Sequence, residues 1–450
     1  MKEKLNFQSN LLVGSLLFGL FFGAGNLIFP VQMGQAAGSN TLQATIGFLV
    51  TGVGLPLLGV IATALSQSEN LLAMAKPVNR IYSILFTSAL YLTIGPLFAI
   101  PRTATVAFEV GLNPFISKEY LQLGLFLFSL IFFVVTLYFS LRPGRIIDWV
   151  GKYLNPTFVA LLSILIIATY VNPMGQISQF PAQGNYIDKP LFTGMLDGYN
   201  TMDALASLAF AIVIISNIEN LGIKDPKRKA IETCKSGLVC LIGMSVIYAS
   251  LAYMGVTSLA SVGTADNGGT IMSMVSEHYF GIVGQVLLAA IVTVACLKTA
   301  IGLITSCAQM FSEMFPNSVS YNKYAVIFTV FSFIIANFGL NKIVQLSLPV
   351  LMFLYPLAIT LIILSLLAPI INKQRDIYRW TTTFTIIAAF FDLCNALPDD
   401  IKETVIMDKL IGFAHIYLPG FDYGFGWFMP AIVGFIIGTI IWRINGKTES

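Results

Sequence analysis

The apolar residues of this chain fall in long, nearly unbroken runs rather than alternating with polar ones. Runs lie near residues 11–36, 42–66, 81–111, 120–141, 147–171, 191–221, 231–259, 280–313, 323–340, 343–370, 379–397 and 424–444. A helix crosses the hydrocarbon core of a bilayer in about 20 residues, so the pattern predicts an all-α polytopic membrane protein with twelve transmembrane helices. The ninth and eleventh runs are the shortest; the third, sixth and eighth are long enough to tilt or break. The longest polar connections, near 172–190, 260–279 and 398–423, carry Gly, Pro and Asp of the kind that marks loops. Ser276 to Phe280 either starts a short external helix or opens the eighth run.

Two runs contain residues unsuited to a continuous span. The first holds Phe21-Phe22-Gly23-Ala24-Gly25-Asn26-Leu27-Ile28-Phe29-Pro30, and Gly and Asn are poor helix formers. Irregular backbone at membrane depth is tolerated where it is buried in protein or lines a cavity. A helix broken here frees peptide groups to hold a polar ligand. The sixth run holds Asp203-Ala204-Leu205-Ala206-Ser207-Leu208-Ala209-Phe210-Ala211, small residues that follow an intramembrane acid. Ordinary packing between membrane helices also favours small residues. If helices one to ten form a 5+5 inverted repeat, helices one and six are equivalent, and irregular segments in such a pair point to a transporter binding site. The repeats would cover about 11–171 and 191–370, with two extra helices at about 379–444, in a single domain over 1–450.

Charge placement sharpens the helix count. With the N-terminus in the cytoplasm, the connections on that side carry Lys76, Arg80, Arg142, Arg145, Lys152, Lys224, Lys227, Arg228, Lys229, Lys235, Lys323, Lys373, Arg375 and Arg379. Lys2 and Lys4 join them at one end, and Arg443 and Lys447 at the other. The opposite side holds Lys118, Lys189, Lys342, Lys402 and Lys409. Cytoplasmic loops of membrane proteins are enriched in Lys and Arg, and a miscounted helix would scramble this alternation. Both termini are therefore read as cytoplasmic, and the first run as a retained helix rather than a cleaved leader.

Composition agrees: 56% of residues are hydrophobic and 10% charged, against about 45–50% and about 25% in soluble domains. A net charge of +3 gives no reason to invoke nucleic acid. Cys234, Cys240, Cys296, Cys307 and Cys394 show no paired spacing and read as small apolar fillers. His278 and His415 belong to no metal-ligand cluster, and no Ser/His/Asp grouping suggests an enzyme. A channel would favour a repeated pore motif, and a receptor has no evident need of a helix broken at depth.

The Phe21–Pro30 signature, Thr201-Met202-Asp203-Ala204-Leu205-Ala206 and Ala295-Cys296-Leu297-Lys298-Thr299-Ala300-Ile301-Gly302-Leu303 together resemble the bacterial branched-chain amino acid carriers, the Leu/Ile/Val:cation symporters, over essentially the whole chain. More distantly, Gly23-Ala24-Gly25-Asn26 resembles the Gly-Leu-Gly-Asn motif of the neurotransmitter:sodium symporters. The resemblance implies a leucine-transporter-like fold with helices 1 and 6 discontinuous. It also implies a plasma-membrane importer of leucine, isoleucine and valine, coupled to a cation, sodium in the first instance.

Such a substrate is a zwitterion with a greasy end. Freed N–H groups near Ala24, Gly25 and Asn26, at the positive end of a half-helix, suit its carboxylate. Carbonyls near Phe21 and at Ser207, Leu208, Ala209 and Phe210 suit its ammonium, so backbone dipoles hold both charges without a dedicated Arg or Asp. Phe210, Tyr91 and Gly95 are expected against the side chain.

The resemblance also implies a sodium site. It maps onto the carbonyls of Gly19 and Phe22, Ala295, and the hydroxyl of Thr299, with Lys298 where a second hydroxyl is expected. Lys298 admits several readings. Its ammonium replaces the ion, or titrates and couples to protons, or faces a cavity near Asp203 with sodium beside it, or snorkels towards the interface. A proton-coupled or cation-independent carrier of another small neutral amino acid is the alternative. Arg102 and Glu109, on one face of helix three, either pair with other helices or line a gate.

Overall fold

The computed structural model describes residues 4–142 and 155–448, and all regular structure among them is helical. The connection bearing Arg145 and Lys152, and the start of the predicted fifth span at 147–171, lie outside the described residues. In chain order the main helices are α1 (Phe7–Phe21), α2 (Ala24–Ala37), α3 (Thr41–Leu49), α4 (Leu55–Ser66), α5 (Arg80–Leu92), α6 (Ala99–Gly111), α7 (Leu121–Ser140), α8 (Asn155–Val171) and α9 (Pro190–Tyr199). They continue as α10 (Asp203–Asn220), α11 (Pro226–Ser258), α12 (Gly268–Met314), α13 (Tyr321–Ala336), α14 (Leu340–Leu366), α15 (Arg375–Asn395), α16 (Val405–Tyr417) and α17 (Phe428–Thr448).

Among the described residues, six helical stretches are long and apolar enough to cross a membrane, and seven when Asp203–Ala211 and Val213–Asn220, bent by 42°, count as one. Several faces are apolar and exposed: on α7, Leu123, Phe126, Leu127, Leu130, Ile131 and Val134 all point outward. Continuous apolar surface of this kind belongs against lipid rather than water.

Several sequence runs are divided in three dimensions. The first stops at Phe21; Phe22 and Gly23 are extended (φ −71°, ψ 98° and φ −124°, ψ −166°), and helix resumes at Ala24. The second passes through a π-helical turn at Val50–Gly54. The third has another at Thr93–Leu97, where Gly95 leaves helical geometry (φ −102°, ψ −127°) just before Pro96. In the sixth, α9 ends at Tyr199 and α10 begins at Asp203, with Met202 in the left-handed region at φ +61°. In the eighth, Gly281 takes φ +60° and ψ −159°, a conformation open essentially to glycine alone.

Two predicted loops prove partly helical. The 260–279 connection contributes an arm from Gly268 that reaches the break at Gly281, so helix begins well before Ser276. The 398–423 connection contains α16, whose apolar residues Val405, Ile406, Phe413, Ile416 and Tyr417 are exposed. At 13 residues it is too short to span, and its polar flanks hide it in a hydropathy reading.

The half-helices beyond the first and before the sixth break are gripped in the same way. A Cβ added to Gly34 on α2 would lie 2.0 Å from the Ala252 carbonyl oxygen of α11, and one on Gly255 of α11 would lie 2.0 Å from that of Val31. On the other side, a Cβ on Gly47 of α3 would meet the Leu191 carbonyl oxygen of α9 at 1.9 Å, and one on Gly194 would meet that of Ala44 at 2.0 Å. Each pair of helices thus packs backbone to backbone through reciprocal glycines, the close approach that small residues allow between membrane helices.

The start of α1 is tied to α11 by Glu232, which is buried. Its Oε2 accepts from the Leu5 N–H and Asn10 Nδ2, each at 3.3 Å, and its Oε1 accepts from Lys235 Nζ at 2.6 Å. Glu232→Ala removes the acceptor of all three and is expected to cost about 1–3 kcal/mol. A lower unfolding temperature of the detergent-purified chain would register it; an unchanged one would show the tie to be idle.

Candidate substrate site

A space of about 40 Å³ lies where the two breaks face each other. Leu20, Phe21 and Gly23 to Asn26 form one wall, and Thr201, Met202, Asp203, Ala206 and Phe210 the opposite one. Ile94, Ala99, Arg102 and Thr103 of the third run, with Thr299 and Leu303 of α12, complete it. Space of this size holds a water or two, not an amino acid, so a larger ligand requires the walls to part.

Asn26 is the hub. Its Oδ1 accepts from the Gly23 N–H at 2.8 Å, closing the first turn of α2. Its Nδ2 donates to Asp203 Oδ2 at 2.6 Å and to the Tyr248 hydroxyl of α11. Tyr248 in turn donates to the same Asp203 oxygen at 3.0 Å. Asn26, Asp203 and Tyr248 are all buried, and each finds its partners in the others, as buried polar groups require. The two breaks are therefore joined side chain to side chain.

Arg102 brings a fixed positive charge. It is 3% exposed, its guanidinium lies 4.9 Å from the centre of the Phe29 ring, and its Nη1 has no hydrogen-bond partner among the described residues. Nη2 sits 3.0 Å from where a Cβ on Gly25 would be, over the bare face of the first turn of α2. The N–H groups of that turn lack intrahelical acceptors and carry the positive end of the helix dipole.

Below the break, Lys298 Nζ donates to the Gly19 carbonyl at 3.0 Å. Thr299 donates from Oγ1 to the Ala295 carbonyl at 3.1 Å, and its side chain reaches Gly23: a Cβ there would be 3.4 Å from Thr299 Cγ2. Phe22 donates from its N–H to the Phe18 carbonyl at 2.8 Å and stacks on the Phe18 ring. So Gly19, Phe22, Ala295, Lys298 and Thr299 do gather at one place, and the Gly19 carbonyl already holds an ammonium.

Of the residues read from sequence as substrate contacts, Phe21, Ala24, Gly25, Asn26 and Phe210 line the cavity. Ser207, Leu208 and Ala209 do not, and their carbonyls lie within α10 rather than in an unwound stretch. The chain unwinds earlier, at residues 200–202, and α10 bends by 42° only after Ala211. Once the helix starts at Asp203, residues 203, 206 and 210 share one face, which turns 208 and 209 away and leaves 207 at its edge. Ser207 packs on α4, where a Cβ on Gly59 would be 2.1 Å from its Oγ.

Tyr91 and Gly95 are also outside the cavity. Both meet Cys307 on α12: its Sγ donates to the Tyr91 carbonyl at 3.4 Å, and a Cβ on Gly95 would be 2.7 Å from it. The turn at Thr93–Leu97 presents Ile94 instead.

Charged side chains stand at the site beside the backbone groups. Arg102 and Asp203 both line the cavity; Glu109 bonds Asn113 at the far end of α6. A lone Arg inside an apolar run was the available signal. Tyr248 had none, being one tyrosine in a long apolar helix. No group of three or more His, Cys, Asp or Glu able to hold a metal occurs among the described residues.

Residues 6–445 match the family model described as branched-chain amino acid transport protein. The chain belongs to that family. Its relatives include the branched-chain amino acid permease BrnQ of Lactobacillus delbrueckii subsp. lactis, 46% identical over 99% of this chain and 100% of the relative. Another is BrnQ of Bacillus subtilis, at 40% over the full length of both. The branched-chain amino acid transport system 2 carrier protein of Pseudomonas aeruginosa is 39% identical over 97% of each chain. This family member is thus a membrane transport protein and not an enzyme.

Solved structures share its fold at low identity. Mhp1, a nucleobase-cation-symport-1 family transporter solved closed with bromovinylhydantoin bound, aligns at TM-score 0.62 and 14% identity over 98% of this chain and 93% of its own. MhsT in complex with L-phenylalanine aligns at 0.55 and 14% over 97% and 100%.

Proposed function

We propose that this chain imports leucine, isoleucine and valine across the plasma membrane by alternating access, as a cation-coupled secondary carrier. The observation that carries the reading is the cavity between two helix breaks, walled by the open N-terminus of α2 and by buried charges of both signs. Family membership supports the substrate class. In this reading the chain forms twelve spans, two inverted repeats of five plus two, with both termini cytoplasmic. The matched glycine grips of α2 on α11 and of α9 on α3 support that symmetry, since they pair helix one with seven and helix six with two.

The carboxylate faces the first turn of α2 and the ammonium faces Phe21 and Asp203, with Phe210 against the aliphatic end. One methylene in an apolar pocket is worth roughly 1–3 kcal/mol, so all three branched-chain substrates are carried with modest preferences. Exchange of radiolabelled leucine for internal leucine in proteoliposomes tests this. Exchange of another amino acid but not leucine would keep the carrier and overturn the substrate.

For coupling, sodium would sit among the Gly19 and Phe22 carbonyls, Ala295 and Thr299. The bond from Lys298 to Gly19 favours a second reading, in which the ammonium is the resident cation and transport needs no sodium. Leucine uptake with sodium replaced by choline at fixed pH separates the two. Loss of uptake supports the sodium site; undiminished uptake supports the lysine.

A further inference from the structure

We infer that Arg102 is the residue by which this carrier recognises the α-carboxylate of its substrate, and so tells an amino acid from derivatives that lack the carboxylate. The inference rests on the reading above that the cavity takes an amino acid. A guanidinium buried at membrane depth is costly and is retained where it serves a function. Here Nη1 is buried without a partner among the described residues, although Arg102 lines the cavity. Phe29 supports the cation from one side at 4.9 Å.

Gly25 leaves its own face bare, so the guanidinium lies over the first turn of α2, 3.0 Å from the Cβ position. Fork and helix end therefore present donors to the same small volume. A carboxylate is the group that two parallel N–H donors of a guanidinium fit best. Asp203, on the opposing wall, is engaged by Asn26 and Tyr248 and supplies the charge of opposite sign. An α-amino acid matches both walls; an amine or an amide matches one.

Binding of leucine and of leucinamide to the purified full-length chain tests this. Charged hydrogen bonds are worth about 1.5–3 kcal/mol, so the wild type should prefer leucine by about 10- to 100-fold. Arg102→Gln should bring the two ligands within about 3-fold of each other, by weakening leucine and leaving leucinamide nearly unchanged. The preference surviving in Arg102→Gln, or both ligands weakening equally as a packing role would have it, overturns the inference.

Should the glutamine variant not fold, Arg102→Lys decides. It keeps the charge and loses the fork, so a preference lowered about tenfold supports the inference and an unchanged one overturns it. A wild type that binds no leucine at all would instead sink the branched-chain reading.

Discussion

Replacing Asn26 with alanine is expected to abolish leucine uptake and to cost about 1–3 kcal/mol of stability for each buried group left unsatisfied. Three hydrogen bonds go at once: the one from the Gly23 N–H, the one to Asp203 and the one to Tyr248, while Asp203 and Tyr248 keep the bond between them. The first loosens the opening turn of α2, where the substrate's carboxylate is proposed to dock. The second leaves Asp203 buried with less compensation. Unfolding temperature in detergent and uptake in proteoliposomes measure the two effects separately. A second substitution checks the cause. If Asp203 is what makes Asn26→Ala costly, adding Asp203→Ala should recover part of the lost stability, because the uncompensated charge goes with it. Strictly additive losses would refute the linkage between the two breaks.

Gly34→Val is expected to be nearly as damaging, for a reason unconnected with chemistry at the cavity. The new Cβ would stand 2.0 Å from the Ala252 carbonyl oxygen and 2.8 Å from its carbon. Both are backbone atoms and cannot swing aside, so α2 has to separate from α11. Overpacking of a tight interface costs about 1–3 kcal/mol, occasionally more. Separation here also carries Asn26 away from Tyr248, since each is on one of the two helices. Gly255→Val opens the same seam, so the double variant should be less harmful than the sum of the singles. Gly412→Ala on α16 is the matched control: nothing lies within 4 Å of its Cβ position, and it should leave unfolding temperature and uptake unchanged. Wild-type behaviour of Gly34→Val would show that the seam is not rigid.

Much of the architecture was legible because its cause is local. A run of apolar residues becomes a membrane helix whatever its neighbours do, since lipid leaves the backbone no other way to satisfy its N–H and C=O groups. Gly23, Gly25 and Asn26 marked the first interruption by helix propensity alone, and the helix does stop at Phe21 and restart at Ala24. The sixth run was harder to read. Its small residues from Ala204 to Ala211 are helix formers that pack well, and the chain unwinds before them, at 200–202, where Met202 is held left-handed. No propensity of methionine favours that conformation: α9 packs on α3 and α10 on α4, and the connection between them has to bridge the two.

The sequence by itself determined the membrane class, the broken first helix, and a list of polar residues too costly to bury in lipid without a role. Arg102, Asp203 and Lys298 were all on that list, but which partner each takes was left open. Arg102 was open to pairing with another helix or lining a gate, and it stands over Gly25; Lys298 was open to several places, among them the space of the ion, and it holds the Gly19 carbonyl. Tertiary structure alone decided these pairings, because a charge at membrane depth selects its partner by distance across the bundle, and sequence separation carries no information about that distance.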